Sequence, residues 1–262
     1  MAKKLKILVC VKHVPDMEAN FKIDPEGVAI DESGLVFRAN GYDEFALEES
    51  ARIREKFGDV EVTALSVGPV RAEAAVRRGI EFGADFGTHI VTGEGYCPDA
   101  YDTARIIASY AREPGFDLLI FGVMSEDEQR CQVGPMTASL LDLPCATTVI
   151  KEDLSPEEAM ITVERELEGG RREVVEMSLP AAITVQSGIN LPRYPNLTNK
   201  LRARSQQLTV LDAGDPNHEK MCGEPQKLYY PPPAEPGLFI EGTLDEQAEK
   251  IISIIHEKTD VL

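Results

Sequence analysis

The residues best placed to do chemistry in this chain sit in short loops: Lys12-His13-Val14-Pro15-Asp16, Ser66-Val67-Gly68-Pro69, and the run from Ser125 that ends Gln132-Val133-Gly134-Pro135-Met136-Thr137. The last of these reads as a loop entering a helix, whose unpaired N–H groups and positive dipole end attract phosphate. Gly134 would permit close backbone approach, Pro135 suits the first helical position and Thr137 offers a hydroxyl. An ordinary helix start uses the same residues, and from the residues alone that plainer role comes first. Neither GxGxxG nor a GxxxxGKS or GxxxxGKT run is present, which disfavours a dinucleotide fingerprint and a P-loop. A mononucleotide gripped mainly by backbone stays open.

Other chemistry is weakly supported. His13, His89, His218 and His256 lack HxxxH or paired-acid spacing, so satisfied or solvated imidazoles are the better reading and none is nominated as a catalyst. Ser125-Glu126-Asp127-Glu128 reads as a solvated acidic loop rather than a metal site. Cys10, Cys97, Cys131, Cys145 and Cys222 show no CxxC spacing, which argues against zinc, an iron–sulfur cluster or a disulfide framework and fits a reducing cytoplasm. Cys10 and Cys131 read as small apolar fillers.

These loops must be positioned by something, and the hydrophobic pattern says what. LKILVCV (Leu5 to Val11) is nearly all apolar, as in a parallel strand covered on both faces. Val60 to Val67, Thr88 to Val91 and Leu118 to Phe121 are further strands, each preceding a helical segment, which predicts a doubly wound, mostly parallel α/β sheet. Ala46, Ser50, Ile53 and Phe57, then Ala100, Ala104, Ile107, Ala108 and Ala111, mark one-sided helices. After Pro144 the strands Ala146 to Ile150, Met160 to Arg165, Glu173 to Leu179 and Ala182 to Gln186 predict an antiparallel extension. Such sheets bind ligands beyond the carboxyl ends of their strands, where strand order reverses.

Residues 1–210 read as one nucleotide-binding domain and 211–262 as an extended C-terminal arm. The arm passes through KLYYPPPAEPG and ends in a helix with a capping box, Thr243 with Glu246. Leu244, Ala248, Ile251, Ile252 and Ile255 form its apolar stripe, which needs either its own domain or a partner subunit. The chain has 262 residues and a formal charge of -18, with 45 acids against 27 bases. Wholesale nucleic-acid binding is thereby disfavoured, and the basic island Lys200, Arg202, Arg204 stands out. The apolar run near the N-terminus is too short for a membrane span and lacks a cleavage site.

One stretch, Val163 to Arg204, joins two strands to this exposed basic loop in an order that generic α/β domains lack. With VCVKHVPD (Val9 to Asp16), Asn40-Gly41-Tyr42-Asp43 before FALEES, SVGP, GADFG, CQVGPMTASLLDLP, VERELEGG, LPAAITV and NLPRYPNL, the chain resembles the β (small) subunit of electron-transfer flavoproteins over nearly its whole length. The resemblance implies a heterodimer whose α subunit holds the redox FAD, while this chain binds AMP and helps seat the flavin. It carries AMP contacts onto Cys10, Asn40, Gly41, Tyr42, Asp43, Val67 and Asp127 to Ala138, including Gln132, Val133, Gly134, Pro135, Met136, Thr137 and Ala138. Tyr42 takes the place of an aromatic near the flavin, whereas Met17 replaces the family's other aromatic.

The same resemblance puts Glu164, Arg165 and Glu166 near a mobile flavin domain and makes Leu197 the leucine inserted into a partner dehydrogenase. Lys200, Arg202 and Arg204 would steer acidic partners. The implied role is an electron carrier, not an enzyme. It takes electrons from acyl-CoA or related dehydrogenases, as in fatty acid oxidation, to a membrane-associated oxidoreductase or quinone pathway. Two alternatives stand beside it: an electron-bifurcating form with a second FAD in place of AMP and NADH as donor, and a stand-alone AMP-binding α/β protein. Glu128 occupies a position held by glycine in the bifurcating group, and its carboxylate would crowd and repel a diphosphate, which favours AMP.

Overall fold

A computed structural model describes residues 4–93, 98–214, 227–233 and 237–259. In chain order the first elements are β1 (Leu5–Cys10), β2 (His13–Pro15), β3 (Phe37–Ala39), α1 (Gly41–Phe57), β4 (Val60–Gly68), α2 (Glu73–Phe82), β5 (Phe86–Val91) and α3 (Ala100–Arg112). They are followed by β6 (Leu118–Gly122), α4 (Val133–Leu140), β7 (Cys145–Ser155), β8 (Met160–Glu166), β9 (Arg172–Ser178), β10 (Ala181–Val185), α5 (Leu197–Ser205), β11 (Thr209–Asp212) and α6 (Leu244–Lys258).

The sheet has nine strands in the order β11-β5-β4-β1-β6-β10-β7-β8-β9. From β11 to β7 every pairing is parallel; β8 and β9 are antiparallel. This is the expected doubly wound fold, with one detail corrected. The extension consists of β8 and β9, whereas β10 inserts parallel between β6 and β7, with Ile183 opposite both Ile120 and Ala146. All five residues of AAITV are buried, as a strand covered on both faces requires.

Two apolar layers flank the sheet. Ile7, Val9 and Val62 meet Leu47 of α1 on one side, and Leu8 and Leu65 meet Ile107 of α3 and Ala138 of α4 on the other. Each such leucine or isoleucine contributes roughly 1.5–3 kcal/mol on burial. Helix α2 lies close on β4 because position 79 is glycine: an added Cβ would collide with that of Ala64. Ala46, Ser50 and Ile53 face inward from α1 as the periodicity predicts, but so do Glu48 and Glu49. Beside the main sheet, β2 and β3 pair as a short antiparallel ribbon.

The segment read as a basic loop is instead the helix α5. Asn196 caps it, its side chain accepting the Asn199 amide at 2.8 Å.

The described residues divide into two units. The first holds 4–22, 30–93 and 98–214 and contains the sheet, which β11 carries to Asp212. The second holds 23–29 with the described residues from 227 onward. In it the Leu228 amide donates to the Gly27 carbonyl at 2.7 Å, and α6 starts with the expected Thr243–Glu246 capping box. Leu244, Ile251 and Ile252 of α6 are exposed.

Candidate functional site

β1 and β6 are neighbours at the centre of the sheet, with β4 and β5 beyond one and β10 and β7 beyond the other. The chain therefore changes direction across the sheet between them, and the crevice beyond their carboxyl ends is the site the topology selects. Five segments meet there: Val11-Lys12 after β1, the end of β4, the loop from Gly122 to Gln132, and the starts of α1 and α4.

Asn40 fastens these segments together. Its amide donates to the Lys12 carbonyl at 2.9 Å, its Nδ2 to the Met124 carbonyl at 2.9 Å, and its Oδ1 accepts the Glu126 amide at 3.0 Å. Asp43, one turn on, is 6% exposed; its Oδ2 accepts the Lys12 amide at 2.7 Å and its Oδ1 the Gly122 amide at 3.1 Å. Burial pushes Asp43 up to about 7, although the two amides, Asn40 and Lys12 pull the other way. Gly122 is required at its position because any Cβ would run into Asp43 and Tyr42. Tyr42 itself is half-buried.

Lys12 organises the far wall. Its Nζ reaches Asp127 at 2.9 Å, Glu128 at 3.0 Å and the Ser125 hydroxyl at 3.3 Å. Burial lowers the Lys12 pKa, but the two carboxylates more than offset it and the net shift is upward. Burial raises the Asp127 pKa, but Lys12, the Ser125 hydroxyl and the Glu128 amide together outweigh it and the net shift is downward. The loop is strained where it approaches α4: Gln129 and Cys131 hold left-handed backbones, at φ 54° and 55°.

Two helix N-termini point at the crevice, and they differ. At α1 the Gly41 amide donates to Glu126 Oε2 at 3.3 Å, and the same carboxylate pairs with Arg38 at 3.3 Å. A carboxylate thus occupies the anion position of α1. At α4 the N-cap is Gln132, with no side-chain capping bond, so the first-turn N–H groups of Val133 and Gly134 face the crevice region without a capping acceptor. Pro135 stands at the third helical position rather than the first, still within the turn where a missing N–H breaks no helical bond.

The structure gives other α4 residues different work from that expected. A Cβ on Gly134 would come within 2.7 Å of Thr184 Cγ2 and 3.3 Å of the Phe121 ring, so this glycine lets α4 approach the sheet. The Thr137 hydroxyl is buried and donates to the Val133 carbonyl at 2.8 Å. Met136 and Pro135 are half-buried and Gln132 is exposed. Cys10, Val67, Val133 and Ala138 belong to one apolar layer, so the carried-over residues from the strand ends and α4 share one side of the sheet. Burial, then the charge of Asp43, raises the Cys10 thiol well above its ordinary value, which removes it as a nucleophile. Spacing alone would not have revealed Glu126 as a site residue; it earns its place through a contact 85 positions away in sequence.

The second group lies elsewhere. Leu197, at the first turn of α5, is 72% exposed, close to Tyr194 at 97% and Leu191 at 82%. Lys200 and Arg204 are exposed, but Arg202 is not a surface cation in the expected sense: its guanidinium donates to the carbonyls of Ile80 at 3.2 Å and Ala84 at 2.9 Å, clamping α5 to the end of α2. On β8, Glu164 pairs with Arg172 at 2.9 Å and Arg165 with Glu173 at 3.5 Å, both across the ladder to β9. Glu166 is exposed and its carbonyl accepts the Thr148 hydroxyl at 2.8 Å. Cys97, Cys222 and His218 lie outside the described residues. No described helix is long and apolar enough to cross a membrane.

Comparison with known proteins agrees on one family. A family model described as "Electron transfer flavoprotein domain" matches residues 27–216. Over 261 residues, 97% of this chain and 98% of the relative, the chain is 34% identical to the electron transfer flavoprotein subunit beta of Methylophilus methylotrophus. It is 32% identical to the protein of the same name from Bacillus subtilis over 98% of this chain and 100% of the relative. The mitochondrial electron transfer flavoprotein subunit beta of Arabidopsis thaliana is 32% identical over 96% of this chain and 99% of its own length.

Proposed function

Since this chain belongs to the electron transfer flavoprotein β-subunit family, we propose that it is the AMP-holding half of a heterodimeric electron carrier, working in the cytoplasm. The observation that carries this reading is the contrast between two helix ends at one crevice. Glu126 fills the anion position of α1, whereas α4 starts without a side-chain cap.

The residues present fit an adenine mononucleotide. The first-turn amides of α4 would take its phosphate, and the apolar rim of Cys10 and Val67 would meet the base. Asn40 and Asp43 would act by holding the walls, since their polar atoms are already engaged by Lys12, Gly122, Met124 and Glu126. Glu128 excludes a larger diphosphate chiefly by bulk, because Lys12 at 3.0 Å offsets much of its charge.

When bound, FAD shared with the α subunit supplies the redox chemistry. This chain's part is to seat and to dock. Tyr42 contributes a flank of the flavin platform, and Glu164, Arg165 and Glu166 meet the flavin-bearing domain of the α subunit. The chain beyond β11 docks on the α subunit through the α6 stripe. Leu197 enters an apolar pocket on an acyl-CoA-type dehydrogenase, with Lys200 and Arg204 steering the encounter. Electrons leave for a membrane-associated oxidoreductase or quinone pathway.

Nucleotide content tests the reading directly. Purification with the α subunit, acid release and chromatography should yield equal amounts of AMP and FAD. FAD alone, in twice the amount of the heterodimer, would instead establish the bifurcating form. A stable chain that never associates with an α subunit would favour the stand-alone nucleotide binder.

A further inference from the structure

Helix α1 buries a carboxylate whose principal partner belongs to a distant part of the chain. Glu48 is 1% exposed. Its Oε2 accepts the backbone amide of Arg193 at 3.2 Å and its Oε1 accepts Arg193 Nε at 2.7 Å, so one side chain grips one residue by main chain and guanidinium together. Arg52 Nε reaches the same Oε1 at 3.2 Å from the next turn of α1. Just before Arg193 the connection after β10 has a second anchor. Asn190, 6% exposed, donates through Nδ2 to Glu49 Oε2 at 2.7 Å and to the Phe45 carbonyl at 3.0 Å.

Burying a carboxylate costs stability unless donors replace the water it loses. A pair between Glu48 and Arg52, one turn apart on one helix, would form equally well on the solvent face and needs no burial. What burial adds is the Arg193 amide and a charge-assisted bond to its Nε. The apolar side chains beside these anchors are in water, since Leu191 and Tyr194 are among the most exposed residues of the chain. They have little packing of their own to fix the backbone that carries them, and the polar contacts of Asn190 and Arg193 supply the fixing. α1 is a firm base for it, because Asp43 ties its first turn to the ends of β1 and β6.

We propose that Glu48 is a positioning residue for partner docking: by holding Arg193 at two points it sets where Leu191, Tyr194 and the start of α5 stand, and so how readily a reduced dehydrogenase engages them. Buried as it is, Glu48 acts only through Arg193. The proposal rests on the docking reading of Leu197 above and extends it to a residue of another helix. Without Glu48, Arg193 keeps only its surface pair with Glu55, at 3.0 Å, and its amide loses its acceptor. The segment then has more positions to lose on binding, so partner engagement weakens while electron transfer within the bound complex does not.

Two variants break the grip from opposite sides. Glu48→Met keeps the length of the side chain without its acceptors, and the two arginines, each about half exposed, can turn into water. Arg193→Ala removes the guanidinium from the exposed side, and it carries both measurements if Glu48→Met fails to fold. The first measurement is peptide-resolved hydrogen exchange on the full chain with its α subunit, and it uses no dehydrogenase. The peptide spanning residues 186–196 should exchange roughly tenfold faster in Glu48→Met, and faster than wild type in Arg193→Ala, while peptides of β1 and β6 keep their protection. Wild-type protection of that peptide in the variants overturns the proposal.

The second measurement is electron uptake against the concentration of a reduced acyl-CoA-type dehydrogenase, at high ionic strength so that steering by the Arg193 charge is screened. Each variant should raise the concentration for half-maximal rate, by roughly tenfold in Glu48→Met, and leave the limiting rate unchanged. The double variant should be no worse than Glu48→Met alone, because both changes act on one contact. A lowered limiting rate with unchanged half-saturation, or additive losses in the double variant, overturns the proposal. If half-saturation moves in Leu197→Ala but not in these variants, Glu48 has no positioning role and the docking reading stands. If Leu197→Ala is also without effect, the docking reading falls and this proposal falls with it.

Discussion

The carboxylate of Asp43 accepts the Lys12 amide at 2.7 Å, and its other oxygen takes the Gly122 amide at 3.1 Å, so one buried side chain holds the ends of β1 and β6 against the start of α1. Asp43 ionises near 3.8 in an unfolded chain and near 7 here, the rise coming from burial. Between those values the folded state binds the extra proton. The stabilisation linked to Asp43 is therefore complete below the unfolded value and is lost as pH rises through about 7. Asp43→Asn cannot follow that titration. Its stability deficit against wild type should shrink by about 2–4 kcal/mol between about pH 4.5 and about pH 8 in urea denaturation. A deficit that stays constant over this range would show that Asp43 is ionised throughout.

Lys12 is the next test, because it bridges the loop after β1 to Ser125, Asp127 and Glu128. Lys12→Met preserves much of the apolar stem but leaves two carboxylates facing each other and any phosphate at α4. Binding of AMP to nucleotide-stripped protein, measured by calorimetry, should weaken by roughly tenfold or more. Unchanged affinity would mean that Asn40 and Glu126 suffice to hold the loop.

Gly134 separates two roles that the sequence could not. If glycine is needed for contact between α4 and the sheet, as the 2.7 Å approach to Thr184 Cγ2 requires, Gly134→Ala should cost about 1–3 kcal/mol through overpacking, even with no nucleotide present. If it served only ligand approach, the stripped protein would keep its melting temperature.

Much of this geometry was legible beforehand, because it follows from local pattern. Unbroken apolar runs marked the parallel strands, and the strand-end loops then had to converge. The Thr243–Glu246 capping box needs only its spacing, and it is present. What was not legible depends on distant partners. AAITV gives no sign that it inserts parallel between β6 and β7. Asn196-Leu197-Thr198-Asn199 hides a helix start because a lone Asn cap also reads as a turn. Carboxylates usually sit in solvent, yet Glu48 and Glu49 are inside because Arg193 and Asn190 lie opposite them. Arg202 read as part of a basic island, yet its acceptors are more than 100 positions away.

Leu197 and Arg202 lie on one helix and should part company under mutation. Leu197 is 72% exposed, so Leu197→Ala should leave stability within about 0.5 kcal/mol of wild type. If it is the residue that enters a dehydrogenase, the same change should slow electron uptake from the reduced dehydrogenase by roughly tenfold or more. Arg202→Ala has the opposite signature. It removes two donors from the Ile80 and Ala84 carbonyls and the clamp between α5 and α2, which should lower stability by about 1–3 kcal/mol. Its effect on electron uptake would follow from displacement of α5, so low temperature or a stabilising osmolyte should restore the rate in Arg202→Ala but not in Leu197→Ala. Lys200→Ala and Arg204→Ala complete the comparison: as exposed charges they should reduce the association rate at low salt, with the difference vanishing as ionic strength rises. Salt-independent loss in those two variants would mean that the basic residues act through contact rather than steering.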